Sequence, residues 1–141
     1  MLDYLHQTRG VRAPQQLSNL RMISQEQFMP ENATLESTGM WRSAFLYTPA
    51  ECATSTKCGV HVFYHGCKVF DWEVYHKESA ARTEEGMRRA FVEYAGEGFN
   101  RWAEANHLQI LYPMAGTGLC WDWTGDNSAV KNSLFNTKAN L

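Results

Sequence analysis

The 141-residue sequence holds no apolar run approaching the roughly 18 residues that a membrane-spanning helix needs. It also has no excess of either charge. Thirteen Lys and Arg stand against 15 Asp and Glu, for a formal net charge of -2 and a pI near 6.2. That balance argues against a nucleic-acid binder and against a polybasic membrane-facing surface. Internal repeats and low-complexity tracts are missing. The opening residues, MLDYLHQTRG, carry no apolar h-region, so no signal peptide is visible. What is present fits one globular domain. Hydrophobic residues make up 44% and aromatics 13%, with five Trp, which argues against disorder.

Four cysteines occur: Cys52, Cys58, Cys67 and Cys120. An even count invites two disulfides, with three possible pairings. Four reduced, buried thiols are the plain alternative. A third reading is a zinc site, because Cys58, His61, His65 and Cys67 form C-x2-H-x3-H-x-C, all of them zinc-binding types. The segment reads as a strand, however. That places His61 and His65 on one face but roughly 13 Å apart, at about 3.3 Å per residue. No metal and no cofactor are therefore expected.

Along the chain, residues 1–40 are polar, and QLSNLRMISQEQF contains a short strand or a helical turn. Residues 41–48, WRSAFLYT, are aromatic-rich and stop at Pro49, which suits a strand. GVHVFY is a second strand, with Val60, Val62 and Tyr64 on one face and His61 and Phe63 on the other. Apolar residues on both faces predict a central strand in a covered sheet, and closeness in sequence predicts antiparallel pairing of these two strands. Residues 68–82 read as a loop. Met87, Ala90, Phe91 and Tyr94 share one face of a helix over 83–95, ended by Gly96 and Gly98. GFNRWAEAN is a second helix with Phe99, Trp102 and Ala103 on its apolar side. LQILY is a short buried strand closed by Pro113. Strand, helix, strand predicts a parallel crossover. The result is a small α/β layered sheet with helices for about one face, which leaves apolar surface uncovered.

Two segments carry chemistry. In VHVFYHGC a strand runs straight into His-Gly-Cys, where Gly66 permits a sharp turn. Backbone N–H groups after such a turn can converge on one point and form an oxyanion hole, although an ordinary strand-to-loop turn has the same sequence. In CWDW, Trp121 and Trp123 lie two apart; they suit an apolar substrate surface or a tethered core. Asn32-Ala33-Thr34 is a glycosylation sequon, from which the sequence alone draws nothing.

Taken together, ISQEQF, YTPAEC, CGVHVFYHGC, GFNRWAEAN, QILYPMA and CWDWTG resemble, in order and spacing, the carboxy-terminal part of the poly(3-hydroxybutyrate) depolymerase family of serine esterases. The resemblance runs from about Gly10 to about Lys131. It implies a partial α/β-hydrolase fold of circularly permuted order, with this chain as its strand-strand-helix-strand portion. One domain over 1–141 follows, with 1–16 and 132–141 expected to be poorly ordered.

The resemblance also implies roles. The backbone N–H of Cys67 would serve the oxyanion hole, and Trp121 would contact substrate. Cys52 would pair with Cys58, and Cys67 with Cys120. The nucleophilic Ser, acid and catalytic His would precede this stretch, and no G-x-S-x-G occurs in the chain. None of His61, His65, His76 and His107 matches the family's base; His65 is expected to hold the turn. Met114 stands where the family has Gln, and Thr124 departs from a Trp-Trp-Gly continuation. The expectation is a fragment or truncated member of a secreted carboxylesterase acting on a polyester or small ester substrate, with no nucleic acid or membrane partner. The missing amino-terminal half would complete it. The alternative is a non-catalytic polyester- or carbohydrate-binding protein that uses the Trp-rich loop.

Overall fold

The computed structural model of the chain describes residues 13–55, 57–66, 83–92, 97–115 and 121. Among these, β1 (Leu20–Ser24), β2 (Ser43–Tyr47), β3 (Gly59–Val62) and β4 (Leu108–Tyr112) form one mixed sheet in the order β1-β2-β4-β3. β2 pairs antiparallel with both β1 and β4, and β3 pairs parallel with β4. The helices are α1 (Leu35–Thr38), α2 (Glu84–Phe91) and α3 (Glu97–Asn106). The ambiguous stretch near residue 20 holds both readings, since 3-10 turns at Leu17–Asn19 and Glu26–Phe28 flank strand β1.

The parallel β3–β4 pair agrees with the predicted crossover. The predicted antiparallel pairing of 41–48 with 59–64 does not hold, because β4 lies between these strands. β2 and β4 take the two inner places, and β4 encloses Leu108, Ile110 and Tyr112. β3 consequently stands at the end of the described sheet rather than in its middle. Val60, Val62 and Tyr64 are 57%, 40% and 51% exposed, so the expected uncovered apolar surface is present on this strand.

Register decides which side chains meet. Leu20 lies opposite Tyr47 and Met22 opposite Phe45; Phe45 and Tyr47 in turn lie opposite Tyr112 and Ile110. These residues line one sheet face. α2 and α3 cover it. Phe91 stacks on Phe45 with ring centroids 4.1 Å apart and meets Tyr112 edge-on at 4.7 Å. Trp102 and Ala103 complete the cluster, with Met87 and Phe99 at its margin. Tyr94 lies outside the described residues. Gly98 does not break a helix; it sits in the first turn of α3, where an added Cβ would meet nothing within 4 Å.

α2 begins where Thr83 Oγ1 accepts from the Gly86 N–H at 3.0 Å, a side-chain cap on an otherwise unpaired donor. Glu84 and Glu85 in its first turn and Arg88 and Arg89 in its last complement the helix dipole. Arg88 Nη1 donates to the Leu20 carbonyl at 3.1 Å and ties the helix to β1.

Buried polar groups join the remaining pieces. Asn100 is fully enclosed. Its Oδ1 accepts from the Tyr112 hydroxyl at 2.7 Å, and its Nδ2 donates to Gln15 Oε1 at 3.0 Å. The Tyr47 hydroxyl donates to Glu104 Oε2 at 2.5 Å and accepts from the Gln16 N–H at 3.1 Å. Burial, and then the Glu104 carboxylate, push the Tyr47 phenol well above the ordinary range. Burial does the same for Tyr112. A folded state that favours the neutral phenol is stabilised fully below the unfolded tyrosine value near pH 10. That stabilisation is lost as pH rises from there through the folded-state values. We expect the denaturation midpoint to fall above about pH 10, and a late-ionising component in the 295 nm absorbance titration. Tyr47→Phe and Tyr112→Phe should each remove part of that late component. A titration that follows free tyrosine throughout would contradict this account.

Candidate functional site

The candidate site lies where β3 and β4 end. Beyond β3, the Phe63 N–H still donates to the Leu111 carbonyl at 2.9 Å, so the parallel ladder guides the chain into Tyr64, His65 and Gly66. His65 is 5% exposed. Its Nε2 accepts from the Ala115 N–H at 3.0 Å, and its Nδ1 lies 2.7 Å from the Gly66 carbonyl. Nε2 needs a lone pair for the first bond, so the proton sits on Nδ1 and donates to Gly66. Both ring nitrogens are thereby engaged in holding the turn, the role expected of His65.

Gln25 does similar work from the other side. It is 6% exposed, and its Nε2 donates to the carbonyls of Trp41 at 2.6 Å and Met114 at 3.0 Å. Its Oε1 accepts from the Met114 N–H at 3.3 Å. The Trp41 N–H also donates to the Met114 carbonyl, and Met40 bridges Ala115. The segment after β4 is therefore clamped between the residues before β2 and the turn after β3. The Met114 side chain points into the core, 1% exposed, so the Met-for-Gln departure falls at a packing position.

Trp121 stands over this turn. Its ring meets Tyr64 edge-on at 5.1 Å and His65 at 5.4 Å. The two ring contacts bring Trp121 against the residues that precede Cys67, while the Cys67–Cys120 bridge that the resemblance implies falls outside the described residues. Cys67, Cys120 and Trp123 lie outside the described residues, as does His76. Cys52 and Cys58 are bonded to each other. That takes Cys58 out of the alternative zinc set. His61 faces α3, with its ring stacked 6.1 Å from Phe99. His107 is exposed at the opposite end of β4 and pairs with Glu51 at 2.7 Å. A cleft of about 430 Å3, lined by Arg21, Thr48, Cys52 and Gln109 among others, lies at that same opposite end, away from the turn.

Sequence reasoning missed Gln25 and the Ala115 amide as supports of the turn. The only signal was position: Gln25 is a polar residue directly after an apolar strand.

No family model matches the chain. Curated relatives do. The chain is 30% identical over 136 residues to the poly(3-hydroxybutyrate) depolymerase of Delftia acidovorans, covering 92% of this chain and 23% of that protein. It is 27% identical over 112 residues to the polyhydroxybutyrate depolymerase of Talaromyces funiculosus, covering 67% and 29%. The chain belongs to the poly(3-hydroxybutyrate) depolymerase family. It spans about a quarter of the length of these curated relatives. Among solved structures, a PHB depolymerase complexed with an R3HB trimer superposes with a TM-score of 0.55 at 25% identity, over 86% of this chain and 37% of that one. The PHB depolymerase from Penicillium funiculosum gives 0.59 at 22% identity, over 96% and 42%, and bears on the fold alone. The mixed sheet and its helices thus correspond to part of a depolymerase fold.

The Gln25 clamp generates a direct test. Gln25→Leu removes one acceptor and a donor shared by buried carbonyls, leaving the Met114 amide without its side-chain partner. We expect a loss of about 2–3 kcal/mol in urea unfolding, since each stranded buried polar group costs on the order of 1–3 kcal/mol. A change below about 0.5 kcal/mol, the usual surface value, would show that the clamp is dispensable.

Proposed function

We propose that this chain forms the oxyanion and substrate side of a secreted serine carboxylesterase that hydrolyses poly(3-hydroxybutyrate) or short-chain hydroxyalkanoate esters. The observation that carries the reading is Trp121 packed against the Tyr64–His65 turn, in a chain 30% identical over 136 residues to a depolymerase. In this reading the fold is a portion of a circularly permuted α/β-hydrolase. The N–H of Cys67, just past the pinned Gly66, donates to the oxygen of the tetrahedral intermediate. A second donor, the nucleophilic Ser, the acid and the catalytic His come from outside these 141 residues. Ser attacks the ester carbonyl, His moves the proton, and fixed N–H donors meet the charge that develops. A rigid turn suits this task because donors already oriented need no reorganisation as the charge appears. The substrate lies against Trp121, whose indole offers a broad apolar surface to a polyester.

The exposed Val60 and Val62 on β3, with Tyr64 just past it, supply surface for the remaining part of the fold to cover. The same strip beside Trp121 favours a second reading, a polyester- or carbohydrate-binding protein without catalysis.

Activity separates the two. The chain alone should neither hydrolyse p-nitrophenyl butyrate nor take an organophosphate on serine. Adding the amino-terminal portion of a depolymerase should restore turnover. Hydrolysis by the chain alone, with a serine adduct, would refute the proposed division of the site. Retention on polyhydroxybutyrate granules that is lost in Trp121→Ala, with no turnover in either mixture, would favour the binding reading.

The secreted location draws on the Cys52–Cys58 bridge, since disulfides persist outside the reducing cytosol. A Cys67–Cys120 bridge would fasten the turn to the Trp121 segment. A thiol assay under denaturing, non-reducing conditions should then find no free thiol. Four titratable thiols would defeat the pairing and the secreted location together.

A further inference from the structure

We propose that Asn32 is an N-glycosylation site, modified when the chain passes through a eukaryotic secretory lumen. Asn32-Ala33-Thr34 is the sole N-x-[ST] sequon with x other than Pro in the sequence, and Leu35 follows it. The structure gives the motif a suitable setting. Asn32 and Thr34 are both exposed, in a turn closed by the Ala33 N–H donating to the Pro30 carbonyl at 2.9 Å. Among the described residues no hydrogen bond engages the Asn32 side-chain amide. A sugar attached there displaces no packed group.

Thr34 starts the next element. Its Oγ1 accepts from the Ser37 N–H at 3.1 Å, while its own N–H donates to Ser37 Oγ at 2.9 Å, so α1 begins directly after the sequon. The turn stays outside the core on either side of the motif: Glu31 is exposed and Ala33 half-exposed. The Cys52–Cys58 bridge is a second, independent observation, because it forms in the oxidising compartment where this modification takes place.

The step is a redox-neutral group transfer. The Asn32 amide nitrogen attacks the anomeric carbon of a lipid pyrophosphate-linked oligosaccharide. A C–N bond forms and the bond from that carbon to the pyrophosphate oxygen breaks. The lipid pyrophosphate leaves, and the amide gives up one proton.

Residues 25–42 link the end of β1 to the start of β2, the end of the sheet that also carries the His65 turn. A glycan on Asn32 therefore keeps the 30–34 turn facing solvent and reserves the rest of that end for substrate and partner contacts. The inference rests on the secreted reading but not on the esterase one.

The test uses the whole 141-residue chain behind a cleavable secretory leader in yeast cells that glycosylate a control protein. Cell-associated and secreted material is treated with peptide N-glycosidase in 18O-water and mapped by peptide mass. We expect a mobility shift that the enzyme removes, with 18O-labelled Asp at position 32. The shift should be lost in Asn32→Gln and Thr34→Ala and kept in Thr34→Ser. Leader-cleaved chain bearing no sugar at Asn32 would overturn the proposal, as would a glycan that persists in Asn32→Gln. Neither result touches the esterase reading, which has its own assay.

Discussion

The hydrogen bond from the Ala115 amide to His65 Nε2 joins the residues that follow β4 to those that follow β3. Parallel neighbours release their chains at the same end of a sheet, and nothing in the ladder itself fixes where those chains go next. His65 supplies that constraint. Its ring takes one bond from Ala115 and gives the other to Gly66, so a buried side chain converts a loose strand exit into a defined turn. Gln25 imposes a matching constraint from the β1–β2 side through the carbonyls of Trp41 and Met114. The two clamps meet at Met114 and Ala115, which makes this short segment the point to which three connections are tied. An imidazole committed at both nitrogens in this way is a poor proton shuttle, which argues from geometry that His65 is a structural residue.

The aromatic packing follows from the same arrangement. Because the turn is held, Tyr64 and His65 present fixed rings, and Trp121 can rest against both. Edge-on contact suits such rings electrostatically, since a positive ring edge meets a negative face. Behind the turn, Phe63 packs on Phe99 and Tyr112, so the helix-covered core reaches up to the base of the site. A platform built on elements with a close-packed interior moves little, and that is the property an oxyanion donor or a substrate-holding indole requires.

Much of the element inventory was legible in the sequence. The aromatic-rich run that stops at Pro49, the apolar LQILY closed by Pro113 and the 3.6-residue spacing of Met87 with Phe91 mark strands and helices through the apolar surface each must bury. The helix-strand order also gave the parallel β3–β4 pair. Strand order was less legible. The segments 41–48 and 59–64 are close in sequence, but β4, from much further along the chain, pairs with both and lies between them. The two-sided apolar pattern of β3 was misread for a related reason: it records that the strand needs cover on both sides, not that these residues provide it. Gln25 was not legible at all. Its side-chain NH2 donates to the carbonyls of Trp41, Ser43 and Met114, and local pattern carries no trace of them. For the candidate site, the strand running into His65 and Gly66 marked the turn from local sequence, whereas the Ala115 and Gln25 groups that hold it left no such mark.

The sheet's opposite end has a different set of constraints, and the contrast separates stability from chemistry. β2 and β3 are not neighbours, so residues 48–58 must cross the start of β4 to connect them. The Cys52–Cys58 bond closes a short loop within that crossing, a cross-link whose effect on the unfolded chain is on the order of 2 kcal/mol by loop-closure entropy. Glu51 in the same crossing pairs with His107, which adopts a left-handed backbone (φ 54°) as the chain turns from α3 into β4. The Glu51–His107 pair ties the crossing to the start of β4, while His65 and Gln25 hold the segment that leaves it. A strand held at both ends transmits its register to the turn beside it. The disulfide lies at the far end of the sheet from the His65 turn, so its contribution should appear in unfolding free energy rather than in the chemistry of that turn.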